Sequence, residues 1–279
     1  MTSITLPRSK SSSGIAYHVT GNPEGLPVVL IHGVGLRAES WYQQIAALAT
    51  DYAVYAVDMP GHGDSKRLTM TQPTLSDFTA PIAALLATVI NRPAVIIGHS
   101  MGALLALNLA SNYPEWCAGI VPMNAVYQRN ATAQAAVQQR AASLRGNEPT
   151  DPTAPIQRWF SDPSTSQDAY HADLCAQWLL AADRAGYAAA YTVFAEEDGL
   201  ATTALQALKL PCLFMTGALD PNSTSAMTEA MAATVPGARS TVIADSRHMT
   251  PLTHAFAVNR ALSEFLSGID NGTMENKTA

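Results

Sequence analysis

The chain has 279 residues, of which 48% are hydrophobic and 14% are charged, and its formal net charge at pH 7 is −6. This length and hydrophobic content allow one large core, or a core with a small appended domain. The few Lys and Arg residues are scattered and the apolar stretches are too short to cross a bilayer, so we expect neither nucleic acid nor a membrane as a partner.

The predicted strands are short apolar runs separated by longer stretches rich in Ala and Leu. The first run, GIAYHVTG, alternates as an early antiparallel strand does. Six later runs favour parallel strands buried on both faces: PVVLIHG, YAVYAVDMPG, AVIIGHS, GIVPMNA, LPCLFMTG and STVIADS. Helices are predicted between them at 39–50, 75–90, 101–112, 223–234 and 253–266. This alternation predicts an α/β fold, a mostly parallel sheet flanked by helices.

One segment, residues 127–198, interrupts the alternation. It has helical periodicity punctuated by Asp-Pro turns, and no convincing strand. We therefore expect a core formed by residues 1–126 and 199–279, with residues 127–198 inserted as a helical lid over the sheet edge where ligands of open α/β sheets bind. The polar tail GIDNGTMENKTA is expected to be frayed.

The predicted lid is rich in aromatic residues, which could line a modest apolar pocket. Trp159 and Trp178 are the candidates from the lid, and Met123 is the candidate from the end of a predicted strand. The alternative role for these large side chains is packing within the lid or the core.

The stretch GHSMG, which contains Ser100, joins a predicted strand to a predicted helix. It matches the pattern G-x-S-x-G, in which the serine lies on a strained turn and the flanking glycines let strand and helix approach closely. The strain exposes the hydroxyl at the top of the sheet, and the N-terminus of the helix favours negative charge developing there. Ser100 is therefore the candidate nucleophile.

A serine nucleophile needs a base and an acid, which follow it in the chain for this type of turn. His248 is the candidate base because it lies in a loop between the last predicted strand and the last predicted helix, and His254 is the second choice. Asp220 follows a buried strand and is the candidate acid, with Asp198 and Asp245 as weaker candidates. The alternative role for Asp220 is to form a turn or cap a helix.

The backbone N–H groups of Met101 and Val34 are the candidates for an oxyanion hole, which stabilises the charge of a tetrahedral intermediate. Met101 begins the predicted helix, and Val34 lies between two glycines that allow unusual backbone angles. Three other histidines are given structural roles: His32 and His62 as hydrogen-bonding residues in turns, and His99 as a packing residue.

The three cysteines, Cys117, Cys175 and Cys212, are far apart and lie in apolar surroundings. This pattern is typical of buried free thiols in a reducing compartment, and it has no metal-ligand spacing. The N-terminal segment also lacks the apolar run of a signal peptide. We therefore expect a cytoplasmic protein with no cofactor and no metal.

The segments LIHGVG, VDMPGHGDS, GHSMGA, TGALDP and SRHMTP, taken together, resemble the α/β-hydrolase superfamily in order and context. Length, lid size and the segments RWFSDP and AAYTVFAEED resemble its carboxylesterase and 3-oxoadipate enol-lactonase branch. The resemblance implies an eight-stranded sheet, a lid after strand six, and a triad of Ser100, His248 and Asp220. Where many members have glycine before the final histidine this chain has Arg247, which either binds a substrate carboxylate or faces solvent.

These residues predict a serine hydrolase that cleaves a small-molecule ester or lactone, as a monomer or small homo-oligomer. Serine at position 100 excludes the dehalogenases and epoxide hydrolases of this fold, which need an aspartate there. Two alternatives remain open at this point. One is a hydrolase that cleaves a C–C bond in a ring-cleavage product with the same triad, and the other is a ligand receptor that keeps the fold without turnover.

Overall fold

The computed structural model describes residues 4–144, 151–160 and 166–272. Within these ranges eight strands form one sheet: β1 Ser9–Lys10, β2 Ala16–Gly21, β3 Pro27–Ile31, β4 Ala53–Val57, β5 Ala94–His99, β6 Cys117–Met123, β7 Leu213–Gly217 and β8 Arg239–Ile243. Their order across the sheet is β1-β2-β4-β3-β5-β6-β7-β8. The β1–β2 and β2–β4 pairs are antiparallel, and all pairs from β4–β3 onward are parallel.

Helices of the core cover both faces of this sheet. They are α1 Tyr42–Leu48, α2 Leu75–Leu85, α3 Met101–Asn112, α8 Thr202–Gln206, α9 Ser225–Thr234, α10 Thr250–Thr253 and α11 Ala255–Asp270. The bounds of α3 match the sequence expectation. Helix α11 runs to Asp270 and so includes the start of the tail that was expected to be frayed, while the tail from residue 273 lies outside the described residues.

Between β6 and β7 the described residues form four further helices before α8: α4 Ala131–Ser143, α5 Thr153–Trp159, α6 Ser166–Ala181 and α7 Arg184–Glu196. We call these four helices the insert. They replace the alternation of strand and helix with helices alone, as the sequence predicted. The parts of that prediction that fall on residues 145–150 and 161–165 lie outside the described residues.

Two strands differ from the sequence expectation. Strand β1 was not predicted, because two residues are too few for a periodic pattern. Strand β8 was predicted to be buried on both faces, but four of its five residues are exposed or half-buried. The reason is its position at the edge of the sheet, where only β7 pairs with it. The central strands β3 and β5 are buried along their whole length.

The core lies on both faces of the sheet. One apolar cluster includes Phe78, Leu104 and Phe214, and the other includes Trp41, Leu262 and Phe265. Within the described ranges, no helix is long and apolar enough to cross a membrane. Because β3 and β5–β8 are parallel, the loops after their carboxyl ends meet at one edge of the sheet, and the candidate site lies there.

Candidate active site

Ser100 occupies the turn between β5 and α3 in a strained backbone conformation. Its φ is 56° and its ψ is −117°, a combination that residues with a side chain rarely adopt. The backbone N–H of Ser100 donates to the carbonyl of Met123 on the neighbouring strand at 2.9 Å, which fixes the turn. The strained serine that G-x-S-x-G predicts is therefore present in the structure.

The glycines on either side of Ser100 are required by close backbone contacts. A β-carbon at Gly98 would lie 2.0 Å from the carbonyl oxygen of Gly102, and one at Gly102 would lie 2.2 Å from the carbonyl oxygen of Ile31. Both distances are far shorter than any van der Waals contact. The strand, the turn and the helix can approach as closely as they do only with glycine at both positions.

The three residues proposed as a triad lie together at the edge of the sheet. The Nε2 atom of His248 is 3.1 Å from Oγ of Ser100, and its Nδ1 atom is 2.7 Å from Oδ2 of Asp220. Asp220 follows β7, and His248 follows the adjacent strand β8. All three residues are at most 9% exposed. A buried imidazole between a hydroxyl and a carboxylate can accept a proton from the hydroxyl while the carboxylate orients its ring.

Asp220 is held by several donors besides His248. The side-chain amide of Asn124 donates to Oδ2 at 2.8 Å, and the backbone N–H groups of Asn222 and Ser223 donate to Oδ1 at 2.8 and 3.1 Å. Burial raises the pKa of Asp220, but the charge of His248 and the hydrogen bonds from His248, Asn124 and Asn222 outweigh it and hold the pKa below the ordinary value. Asp220 is therefore kept as a carboxylate beside the imidazole.

Asn124 links Asp220 to the surrounding loops. Its amide also lies 3.1 Å from Oγ1 of Thr250, and its backbone N–H donates to the carbonyl of Met215 at 2.7 Å. Its backbone φ is 52°, which asparagine adopts more readily than most residues. Asn124 therefore connects the end of β6 to the loops that carry both Asp220 and His248. The sequence analysis did not single out this residue.

His99 has a more specific position than the packing role given to it from the sequence. Its Nε2 atom donates to the backbone carbonyl of His248 at 2.8 Å, and the centroids of the two rings are 5.0 Å apart. Burial, together with the charge of His248, lowers the pKa of His99 to about 3, so the ring stays neutral. This hydrogen bond from His99 thus holds the loop of His248.

His32 and His62 are structural hydrogen-bonding residues, as the sequence predicted. Nε2 of His32 accepts from the N–H of Met59 at 2.9 Å, and Nε2 of His62 accepts from the N–H of Gly35 at 3.0 Å. Burial lowers the pKa of both, that of His32 to about 3. Through Gly35, His62 holds the loop that contains Val34.

The two backbone groups predicted to bind an oxyanion flank this site. Val34 lines the same cavity as Ser100 and His248, and Met101 is the first residue of α3. The first N–H groups of a helix have no acceptor within the helix, which suits Met101 to this role. The binding of an oxyanion by Val34 and Met101 remains a prediction.

A cavity of about 360 Å³ opens above Ser100, a volume suited to a small molecule. Its floor comes from the core and includes Val34, His99, Ser100, His248 and Met249, whereas the insert supplies the remaining wall. The described residues that the insert and its leading loop contribute to the wall are Arg129, Ala133, Ala136, Val137, Arg140, Ala154, Pro155, Arg158, Trp159, Tyr187, Tyr191 and Phe194.

Of the three residues that the sequence predicted to line the cavity, one does and two do not. Trp159 lines it, with its ring centroid 6.2 Å from that of His248, but Trp178 and Met123 do not. Trp178 is packed beside α10 in a cluster with Phe160. Met123 points to the other face of the sheet, into the cluster that contains Trp41. One sequence does not reveal which face of a strand or helix meets a cavity.

Arg247, considered from the sequence as a carboxylate ligand, is also absent from the cavity wall. It is half-buried, and its guanidinium lies 3.4 Å from the carbonyl of Gln157. Three other arginines line the cavity instead: Arg129, Arg140 and Arg158. The sequence analysis did not single them out, because cationic residues spaced along an insert become neighbours only when its helices pack.

The second-choice catalytic residues lie in other surroundings. His254 bonds to the hydroxyl of Thr253 at 2.9 Å between α10 and α11, and Asp198 forms an ion pair with Arg129. Asp245 is exposed in a turn with a φ of 56°. None of the three lines the cavity. The geometry therefore favours His248 and Asp220 over these alternatives.

Residues 28–261 match the model of the alpha/beta hydrolase family. The chain belongs to the alpha/beta hydrolase family. The match spans the sheet from β3 to β8, together with the insert and the start of α11. The mostly parallel eight-stranded sheet with flanking helices is therefore an α/β-hydrolase fold.

Curated and solved proteins of this family resemble the chain over nearly its whole length. It is 36% identical to an (E)-2-((N-methylformamido)methylene)succinate hydrolase from Acinetobacter baylyi, over 89% of this chain and 93% of that protein. A thermophilic esterase from Thermogutta terrifontis superposes with a TM-score of 0.84 at 27% identity, covering 95% of this chain and 100% of the other. An enol-lactonase from Burkholderia xenovorans shares the fold, with a TM-score of 0.83 at 22% identity, covering 94% and 100%. The resemblance to the esterase and lactonase branch, which the sequence indicated, is confirmed.

The cysteines are outside this site. Cys117, Cys175 and Cys212 are free and buried, as predicted. Burial raises the pKa of Cys117 and of Cys212 to about 12, so both stay protonated near neutral pH. Among the described residues, no group of three or more His, Cys, Asp or Glu side chains is placed to hold a metal ion.

Proposed function

We propose that this protein is a serine hydrolase that cleaves a small carboxylic ester or lactone through an acyl-enzyme intermediate. The observation that carries the proposal is the position of His248. Its Nε2 atom is 3.1 Å from Oγ of Ser100, and its Nδ1 atom is 2.7 Å from Oδ2 of Asp220. The solved esterase and enol-lactonase with the same fold support this reaction class.

In the proposed acylation step, Oγ of Ser100 attacks the carbonyl carbon while Nε2 of His248 takes its proton. The N–H groups of Val34 and Met101 stabilise the negative oxygen, and the carboxylate of Asp220 accepts the Nδ1–H and stabilises the imidazolium. His248 then protonates the departing alkoxide. For a lactone, this alkoxide remains attached to the acyl chain.

In the deacylation step, water takes the place of the alcohol. Nε2 of His248 removes a proton from the water, which attacks the acyl carbon of the ester on Ser100. The bond from carbon to Oγ breaks, His248 returns the proton to Oγ, and the carboxylic acid leaves. The cycle consumes one water and needs no other co-reactant.

We further propose that residues 127–198 act as the lid of this site. The support is that twelve described cavity-lining residues come from this segment, while Ser100 and His248 line the same cavity from the core. The cavity thus lies between the catalytic residues and the insert. Cytoplasmic location and a monomeric or small homo-oligomeric state remain predictions.

A second substrate class follows from the relative in Acinetobacter baylyi. Its name describes the hydrolysis of a methylformamido-methylene derivative of succinate, and it is 36% identical to this chain over 93% of its own length. Attack by Ser100 on an N-acyl carbonyl would use the same triad and the same oxyanion donors. We therefore propose hydrolysis of this succinate derivative, or of a close analogue, as the second candidate.

The test compares hydrolysis of short 4-nitrophenyl esters, a panel of small lactones and the succinate derivative by the wild type and by Ser100→Ala. We expect turnover by the wild type and a loss of about a thousandfold or more in the variant. Far-UV circular dichroism and thermal unfolding provide the control for folding. Equal rates in wild type and variant would contradict the serine mechanism. Ligand binding without turnover in the wild type would instead support the receptor alternative.

A C–C hydrolase would use the same three residues, so Ser100→Ala does not separate it from an esterase. Product analysis does, because ester and lactone cleavage leave the carbon skeleton intact, whereas C–C cleavage shortens it. We expect dienoate ring-cleavage products to be poor substrates compared with esters. Faster turnover of a dienoate than of any ester would favour the C–C alternative.

A further inference from the structure

The cavity wall carries positive charge although the chain as a whole is negative. Its described lining residues include Arg129, Arg140 and Arg158, but no aspartate or glutamate. The formal net charge of the whole chain is −6. A cavity lined by cations without acids attracts an anionic ligand, because low-dielectric walls focus the local potential. All three arginines lie on the side of the cavity formed by the insert and its leading loop.

Arg129 is fixed in the wall. It is 8% exposed, pairs with Asp198 and donates to the carbonyls of Phe194 and Glu197. Its guanidinium also lies 5.1 Å from the centroid of the Phe194 ring. Even so, its Nη1 atom is buried and has no hydrogen-bond partner among the described residues.

Arg140 presents a second donor of this kind. The side chain of Arg140 hydrogen-bonds with Tyr187, but its Nη2 atom is buried and has no partner within the described ranges. Asp151, whose carboxyl group feels the charge of Arg140, is fully exposed and is not part of the wall. Buried donors in folded proteins nearly always have an acceptor, and leaving one without an acceptor is unfavourable. Both arginines line the cavity, and these unpaired donors leave part of their positive charge without an acceptor in the described part of the wall.

The three arginines converge on one tyrosine. Burial raises the pKa of Tyr191, while the charges of Arg158, Arg140 and Arg129 all act to lower it. Tyr191 itself lines the cavity. Each of the three guanidinium groups is therefore near enough to Tyr191 for its charge to act there, and all three line the cavity with it.

We propose that Arg140 and Arg158, backed by Arg129, form a carboxylate-binding subsite, so that the substrate is an acyl compound with a free carboxylate remote from the bond that is cleaved. A planar guanidinium offers paired N–H donors that match the two oxygens of a carboxylate. The carboxylate would bind to the insert wall while the acyl carbon lies over Ser100. This inference rests on the proposed serine hydrolase function and names its substrate class.

The test uses two esters that differ only in charge at the far end of the acyl chain, monomethyl glutarate and methyl pentanoate. Proton release gives kcat/KM for both in the wild type, Arg140→Met, Arg158→Met and Arg140→Lys. Methionine keeps much of the side-chain length and removes the charge. Arg260→Met, at an exposed position on α11, is the matched control.

We expect the wild type to prefer monomethyl glutarate by about tenfold or more, which corresponds to about 1.4 kcal/mol. Each methionine variant at positions 140 and 158 should lose most of that preference, mainly through a higher KM for the charged ester, with little change for methyl pentanoate. The preference of Arg140→Lys should lie between those of the wild type and Arg140→Met, and the preference of Arg260→Met should match that of the wild type. No preference in the wild type, or a preference that both methionine variants keep, would overturn the subsite.

A binding measurement separates this inference from the proposed function. Calorimetry gives the dissociation constant of glutarate for Ser100→Ala, alone and combined with Arg140→Met or Arg158→Met. Binding that weakens about tenfold in the combined variants supports the subsite even if no ester is turned over. Equal binding in all three, with ester hydrolysis still dependent on Ser100, would reject the subsite and leave the serine mechanism standing.

Discussion

The floor of the cavity and the wall formed by the insert are built in different ways. On the floor, Ser100, His99 and His248 are buried, and each is held by hydrogen bonds to another strand or loop. On the wall, Ala136 and Arg158 are exposed, and buried nitrogen atoms of Arg129 and Arg140 lack partners among the described residues. The side chains of Ser100, His99 and His248 therefore have partners within the chain, whereas the arginines of the wall keep side-chain donors without one among the described residues.

Under the proposed function, this difference would place reaction and selection in separate parts of the chain. The floor is fixed by the ends of β5, β6, β7 and β8, which the sheet holds in register. A rigid floor suits a reaction that needs its groups placed within a fraction of an ångström. The described wall residues come from α4, α5, α7 and the loop before α4, which lie outside the sheet. Changes in the floor should therefore affect kcat, and changes in the wall should affect KM.

The largest expected effect comes from Asp220→Asn. The amide has nearly the shape of the carboxylate but lacks the charge that stabilises the imidazolium, so kcat should fall by about a thousandfold or more. KM should change little, since Asp220 does not line the cavity. Steady-state kinetics with a 4-nitrophenyl ester would check this. A loss of less than about tenfold would show that Asp220 is not the acid of the site.

Acid should destabilise the fold through its buried neutral histidines. Burial lowers the pKa of His32, His62 and His99, that of His32 and His99 to about 3, so below about pH 6.5 the unfolded state binds more protons than the folded state. The free energy of unfolding should therefore fall as the pH drops below about 6.5, by up to about 1.4 kcal/mol per pH unit for each histidine.

Urea unfolding at several pH values measures this dependence, and His99→Gln isolates one contributor. The variant removes one titrating group, so its unfolding free energy should depend less steeply on pH than that of the wild type. Parallel curves for the two proteins would contradict the assignment of His99 as a buried neutral residue.

Asn124→Gly tests whether the floor depends on a residue that does not react. Glycine tolerates the φ of 52° at this position, so the variant removes the amide donor without backbone strain. We expect kcat to fall by about tenfold and KM to stay within about twofold, since Asn124 positions Asp220 and does not line the cavity. A change in KM with kcat unaffected would show that Asn124 acts on substrate binding instead.

The smallest effect is expected on the wall, with Ala136→Trp. Ala136 lines the cavity from α4, and a large side chain there should raise KM for a 4-nitrophenyl hexanoate by about fivefold while kcat for the acetate stays unchanged. Ala135→Trp is the matched control, because Ala135 is exposed on the same helix and does not line the cavity. Equal effects of the two variants would mean that α4 does not bound the substrate.

Much of the floor could be predicted from the sequence. The glycines around Ser100 indicate a turn at which strand and helix approach each other closely. The order of serine, aspartate and histidine along the chain follows from the order of the strands that carry them. Local pattern and chain order are enough for such features. The exposure of β8 could not be predicted, because its apolar residues do not reveal that it lies at the edge of the sheet.

The wall could not be predicted from the sequence. Helix α4 carries alanines on several faces, so the periodicity of its apolar residues does not show that Ala136 lines the cavity and Ala135 does not. Trp178 has a large aromatic side chain of the kind that often lines pockets, but it packs beside α10. Arg140 and Arg158 lie on different helices and share one wall only after the insert has packed. Tertiary packing, which no local pattern records, decides each of these cases.

The most direct test of the account is covalent trapping of the nucleophile. The wild type, Ser100→Ala and Asp220→Asn would be treated with a fluorophosphonate, and intact mass followed by peptide mapping would locate the adduct. We predict one adduct per chain on Ser100 in the wild type, slower labelling of Asp220→Asn, and no labelling of Ser100→Ala. An adduct on another residue, or equal labelling of Ser100→Ala, would contradict the assignment of the floor as the catalytic site.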